Sequence, residues 1–222
     1  MNDTIKEIIA LEWEMFYNVN GEVRVGCQNE KPTFELMRNA QFSAWNEDSC
    51  KSYLEDLKSA VSAERNLVRE KYIRMMKSTD PQGYETFKKD LPKDIDTQAE
   101  LANKIWDHML VQTEKIRKKY PVLALGGRPL HTYEEQGWPS VESYQKSELL
   151  TYSEKTLKLL LDHIVALEEQ CIDFAYKVQE NSVLCLGYKT MEEAELAMSA
   201  QFMQEMGIEV SEGCPSCQLP EE

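Results

Sequence analysis

The chain has 222 residues, of which 25 are Lys or Arg and 39 are Asp or Glu, for a formal charge of −14. With 42% hydrophobic and 29% charged residues it is too apolar for a disordered chain, and at this length one compact domain burying roughly 70% of its unfolded surface is expected. The acidity argues against nucleic acid and anionic lipid as partners, because either polyanion would be repelled.

Thr4-Ile5-Lys6-Glu7 has the form of a capping box and predicts a helix to about Tyr17. Its acidic residues precede the apolar run, so the segment does not read as a signal peptide. Asn20-Gly21, flanked by Val19, Val23 and Val25, predicts a short hairpin near residues 17–26. Pro32 suits the first turn of a second helix over residues 33–63, with a break near residues 47–52. A third helix is predicted over residues 64–77. Residues 78–95 hold Pro81, Gly83 and Pro92 and read as a connector with at most one helical turn.

Thr97-Gln98-Ala99-Glu100 predicts a helix to about Lys119, followed by a loop over residues 121–139 with three Pro and three Gly. A short helix is predicted over residues 141–150. Thr151-Tyr152-Ser153-Glu154 opens the longest one, to about Asn181, and Thr190-Met191-Glu192-Glu193 the last, stopping at Gly207. The expected fold is therefore all-α, a compact bundle of six to seven helices in a single domain over residues 1–207, with an exposed tail over 208–222. No stretch approaches the ~20 consecutive apolar residues of a membrane span. Six Cys are too sparse for a disulfide scaffold, so a reduced, cytoplasmic protein is the expectation.

Laying the predicted helices out at ~100° per residue exposes polar residues on apolar stripes. Glu12 lies among Ile5, Ile8, Ile9 and Phe16, and Glu168 among Leu157, Leu161, Ile164, Cys171 and Ala175. His108 and Gln112 lie with Leu101, Ile105, Met109 and Ile116, and Arg38 and Gln41 with Phe34 and Trp45. A carboxylate on such a stripe must be paired, protonated or metal-bound. Three readings stay open: a structural buried ion pair such as Arg38–Glu12 or Arg38–Glu168, a shared pocket for a small molecule, or a metal site. No Glu-x-x-His motif is present, which disfavours a di-iron bundle, and no metal ligands are assigned.

Under the pocket reading, Glu12, Glu168 and His108 are the candidate acid–base residues. Arg38, Gln41, Trp13, Trp45, Arg128 and Cys27 are the candidate ligand contacts, and the ligand is a small anion. Arg128 lies in Gly126-Gly127-Arg128-Pro129, which lacks the Lys and Ser/Thr of a phosphate loop and also reads as a bare turn. Cys27 precedes a helix N-terminus, where a thiol is activated, but a small apolar filler is the commoner fate of such a residue. Cys214-Pro215-Ser216-Cys217 lacks both the strand–helix context of a thioredoxin and a second Cys pair for zinc. The competing class is a non-enzymatic accessory protein, docking on a partner or a second copy through the acidic surface, the dithiol tail and a Met-bearing last helix (Met191, Met198, Met203, Met206). No cofactor is assigned.

The strings Leu11-Glu12-Trp13-Glu14-Met15-Phe16, Gly26-Cys27-Gln28-Asn29, Thr33-Phe34-Glu35-Leu36-Met37-Arg38 and Trp45-Asn46-Glu47 resemble domain of unknown function family 4125. Gly127-Arg128-Pro129 and the run from Glu148 to Leu157 fit the same resemblance, which spans roughly residues 5–190. It implies a bacterial, anaerobe-associated, cytoplasmic protein and brings no activity, cofactor or catalytic residue.

Overall fold

A computed structural model of the chain describes residues 2–19, 30–93, 95–131 and 138–206. The turn of the expected hairpin, Cys27 and the tail with Cys214 and Cys217 lie outside the described residues. Within them the chain is all-α, with helices α1 (Asp3–Tyr17), α2 (Lys31–Phe42), α3 (Glu47–Ser62), α4 (Leu67–Thr79), α5 (Pro81–Phe87), α6 (Asp96–Lys119), α7 (Pro121–Leu125), α8 (Val141–Leu149), α9 (Glu154–Glu168), α10 (Phe174–Cys185) and α11 (Met191–Glu205). A 3-10 turn at Lys88–Asp90 follows α5. No described helix is long and apolar enough to cross a membrane.

Eleven helices stand among the described residues where six to seven were expected. The break expected near residues 47–52 of the 33–63 helix falls instead at residues 43–46, where Asn46 caps α3 by accepting from the Ser49 N–H at 2.9 Å. The predicted 151–181 helix is broken at Cys171, whose φ of 59° is left-handed. There the Ile172 N–H reaches back to the Leu167 carbonyl at 2.9 Å, which closes α9 in a Schellman-type turn. Glycine usually occupies such a position, and its absence leaves the break without a sequence signal.

Pro81 and Pro121, read as breakers, instead open α5 and α7, because proline is preorganised for the first helical turn. Three further starts differ in their caps. Asn2 caps α1 in place of Thr4, Ser153 caps α9 in place of Thr151, and α6 starts at Asp96 after Ile95, with no side-chain cap from Thr97. Thr190 caps α11 as expected, accepting from the Glu193 N–H at 3.1 Å.

The main core gathers Ile8, Phe42, Tyr53, Leu57, Ile105, Trp106, Leu157, Leu160 and Ile164, all at 2% exposure or less. Burying an aliphatic side chain of this kind contributes roughly 1.5–3 kcal/mol. Around it α6 packs on α9, α10 on α2, α1 on both α2 and α3, and α4 on α8. A smaller cluster of Tyr120, Val183, Met191 and Ala194 holds α11 against the α6–α7 corner. The packing of α1, α2, α3, α4 and α8 brings their inward polar residues to one place.

Candidate functional site

Arg38 stands at the centre of that convergence. Its Nε and Nη2 donate to the two oxygens of Glu12 at 2.6 and 2.5 Å, a bidentate pair between α2 and α1. Its Nη1 donates to Gln41 Oε1 at 2.8 Å and to Glu148 Oε1, on α8, at 3.0 Å. Gln41 Nε2 donates to the same Glu148 oxygen at 2.8 Å, and Lys71 of α4 donates to the other. Two phenols complete the set: Tyr53 donates to Glu12 and Tyr152 to Glu148, each at 2.7 Å.

Two carboxylates and two cations make a cluster of zero formal charge, and all four are at most 7% exposed. Its walls are aromatic. The Tyr53 and Tyr152 rings lie 4.6 Å apart, and Trp45 sits 5.9 and 5.6 Å from them. Burial opposes the charged form of Arg38, but the facing carboxylates of Glu12 and Glu148 outweigh it and hold its pKa well above the ordinary value. Burial likewise opposes the Glu148 carboxylate, and Arg38 and Lys71 overcome that and hold it well below the usual carboxylate range.

Burial, and then the carboxylate each one faces, push the phenols of Tyr53 and Tyr152 well above the ordinary tyrosine value. The folded state therefore keeps two protons that the unfolded chain releases above about pH 10, so their contribution is complete below that pH and is lost as pH rises further. Of the ten tyrosines, these two are expected to ionise only on unfolding. Absorbance at 295 nm through an alkaline titration reads this directly, and titration of every phenol while far-UV dichroism stays native would refute it.

The sequence reading placed Glu12, Arg38, Gln41 and Trp45 here, and the structure joins them. Lys71, Glu148, Tyr53 and Tyr152 were missed. Lys71 had a legible signal, lying midway between Leu67 and Met75 at helical spacing. Glu148 had none, since the nine-residue α8 is too short for its stripe to stand out. Trp13 lies elsewhere, against Phe34 at 5.3 Å and Phe16 at 5.9 Å. Arg128 is exposed, with its guanidinium 4.9 Å from the Tyr144 ring centroid. The same ring carries Lys71 Nζ at 3.4 Å.

His108 and Glu168 form a separate group at the α6–α9 contact. His108 Nδ1 lies 2.8 Å from Glu168 Oε2, and Gln112 Nε2 donates to Glu168 Oε1 at 2.7 Å. Gln112 Oε1 in turn accepts from the Ala175 N–H at 2.8 Å, which ties the start of α10 to α6. His108 also lines a shallow groove of about 340 Å³ with Lys104, Asp162 and Glu169. None of these bonds reaches Glu12 or Arg38, so the five inward residues form two groups and not one pocket. Among the described residues no set of three His, Cys, Asp or Glu could hold a metal ion.

A cleft of about 480 Å³ is lined in part by Tyr152. Ala60, Ala63, Leu67, Pro92, Ile95 and Leu150 supply apolar lining, and Arg65 and Lys93 supply cations. Among the described residues its one carboxylate, Asp56, uses Oδ2 to accept from the Ser153 N–H at 3.0 Å and from Thr156 Oγ1 at 2.6 Å. On the last helix, Met191 is fully buried in the smaller core, while Leu196, Phe202, Met203 and Met206 are exposed.

The chain belongs to the family described as protein of unknown function (DUF4125), whose model matches residues 2–196. Every residue of the buried cluster and of the cleft falls inside that span. No curated protein and no solved structure matches the chain.

Proposed function

We propose that this family member binds a small organic anion in the cleft beside Tyr152, with Arg65 and Lys93 as its cationic contacts. The observation that supports the reading most is the sign of the cleft. In a chain of charge −14, the lining carries two cations against one carboxylate among the described residues, with Asp56 accepting from a backbone N–H and a hydroxyl and Arg65 paired with Glu70. A guanidinium and an ammonium over an apolar floor match a carboxylate or phosphate with a small hydrocarbon body. Tyr152 belongs to both the cleft and the buried cluster, so its hydrogen bond to Glu148 anchors one residue of the cleft wall. The His108–Glu168 pair lies on another groove and has no part in this reading.

Titration calorimetry with succinate and with inorganic phosphate tests it. Lys93→Ala is expected to weaken binding by about tenfold, equivalent to about 1.4 kcal/mol, without loss of fold, since its side chain is exposed. Binding should also weaken as salt rises from low to physiological strength, because both contacts lie at the surface. A wild-type chain that binds neither anion, or a Lys93→Ala variant that binds as well as wild type, removes the proposal.

A further inference from the structure

Asp56 engages the protein through one carboxylate oxygen alone. Its Oδ2 accepts from the Ser153 N–H and from Thr156 Oγ1, which fixes the carboxylate against the start of α9. Its Oδ1 accepts no hydrogen bond and meets no cation at ion-pair distance among the described residues. Asp56 is half-buried, and a carboxylate in such a place ordinarily has its oxygens matched by donors. It stands one helical turn before Ala60 on α3, and both line the cleft, so the carboxylate lies on the helix face turned to the cleft.

Arg65 is likewise engaged on one edge. Its Nε and Nη2 donate to the two oxygens of Glu70 at 2.8 and 2.9 Å. Its Nη1 donates no hydrogen bond among the described residues, so Nη1 and the second N–H of Nη2 form an outer edge able to grip a carboxylate end-on. Lys93 is exposed, lines the same cleft and has no ion-pair partner among the described residues. The hydrogen bond to Glu70, and then the charges of Glu70 and Asp56, raise the Arg65 pKa against the effect of burial, which puts the guanidinium within electrostatic reach of Asp56.

Resting on the anion-binding reading above, we propose that the anion is an amino dicarboxylate: Arg65 and Lys93 each take one of its carboxylates, and Asp56 Oδ1 accepts from its ammonium. The two cations and the open carboxylate of the cleft then each meet an opposite charge, and the ligand still carries a net negative charge. A plain dicarboxylate, or phosphate, would leave Asp56 facing an anion with nothing to offset the like charge. Asp56 is then the residue that sets specificity. It favours the amine-bearing member of any pair of dicarboxylates, while Arg65 and Lys93 serve both members.

The test is titration calorimetry of the wild type with succinate and glutarate, and with their amino counterparts aspartate and glutamate, each as both enantiomers. At least one amino acid is expected to bind about tenfold more tightly than the dicarboxylate of the same carbon skeleton. Asp56→Asn keeps an oxygen for the Ser153 N–H, so urea unfolding should find it folded. It should erase the preference while binding of succinate and glutarate holds or improves. Lys93→Ala should weaken both members of a pair alike and leave the preference in place. The N-acetyl form of the preferred amino acid, which lacks the ammonium, should bind wild type no better than the plain dicarboxylate, and this arm needs no variant to fold. If wild type binds succinate, glutarate or phosphate but prefers no amino acid, or Asp56→Asn or N-acetylation leaves the preference intact, the ammonium site is wrong and the anion site stands. If wild type binds none of these anions, the binding reading and the ammonium site fall together.

Discussion

Arg38→Met is expected to lower the unfolding free energy by about 3–5 kcal/mol, a large part of the 5–15 kcal/mol typical of a domain. Methionine fills much of the arginine's volume, so the loss is electrostatic more than steric. Glu12 would keep a single hydrogen bond, from Tyr53, and the cluster would carry a net negative charge in a site at most 7% exposed. Removing one partner of a buried pair is expensive because the other charge remains desolvated. The double variant Glu12→Gln with Arg38→Met restores neutrality and should recover part of the loss. Urea unfolding of the three proteins, followed by far-UV dichroism, measures this coupling. A single variant within about 1 kcal/mol of wild type would mean that Arg38 and Glu12 are hydrated in solution.

The second large effect is an acid limb set by Glu148. Its folded pKa is depressed by Arg38 and Lys71 against the opposing effect of burial, whereas in the unfolded chain it returns to about 4.3. Below that value the unfolded state binds the extra proton, so stability falls as pH drops. The contribution is complete above about pH 4.3 and disappears as pH moves down toward the folded value. Glu148→Gln should cost about 3 kcal/mol at pH 7, because Lys71 is left buried beside a neutral amide. The same variant should show a flatter decline between pH 5 and pH 3. Urea midpoints of both proteins across that range decide it. Parallel declines would assign the acid limb to other carboxylates.

Together with the Lys93→Ala titration, the two experiments separate the cluster from the cleft. The cluster residues are expected to govern stability and its pH dependence, and Lys93 to govern affinity with little change in stability. A variant set in which both properties move together would mean that the cleft wall depends on Tyr152 more tightly than its hydrogen bond to Glu148 implies.

Local chemistry in the sequence determined the helices and half of the buried cluster. Capping signals were enough to place α1, α6 and α11 within a few residues, and periodicity to mark Glu12, Arg38 and Gln41 as polar residues on apolar stripes, because a 3.6-residue repeat reports burial without reference to any partner. The helix count failed where the signal was not local. Cys171 takes a left-handed conformation that glycine would have announced, and Pro81 and Pro121 start helices where they were read as ending them. Only the tertiary structure decided which inward residues meet. Glu148 joins Arg38 across 110 positions and Lys71 across 77, whereas His108 and Glu168 face each other at a different helix contact. A stripe defines the direction of a side chain about its own helix axis. The partner it finds depends on how the helices cross, which is set by the packing of the whole core.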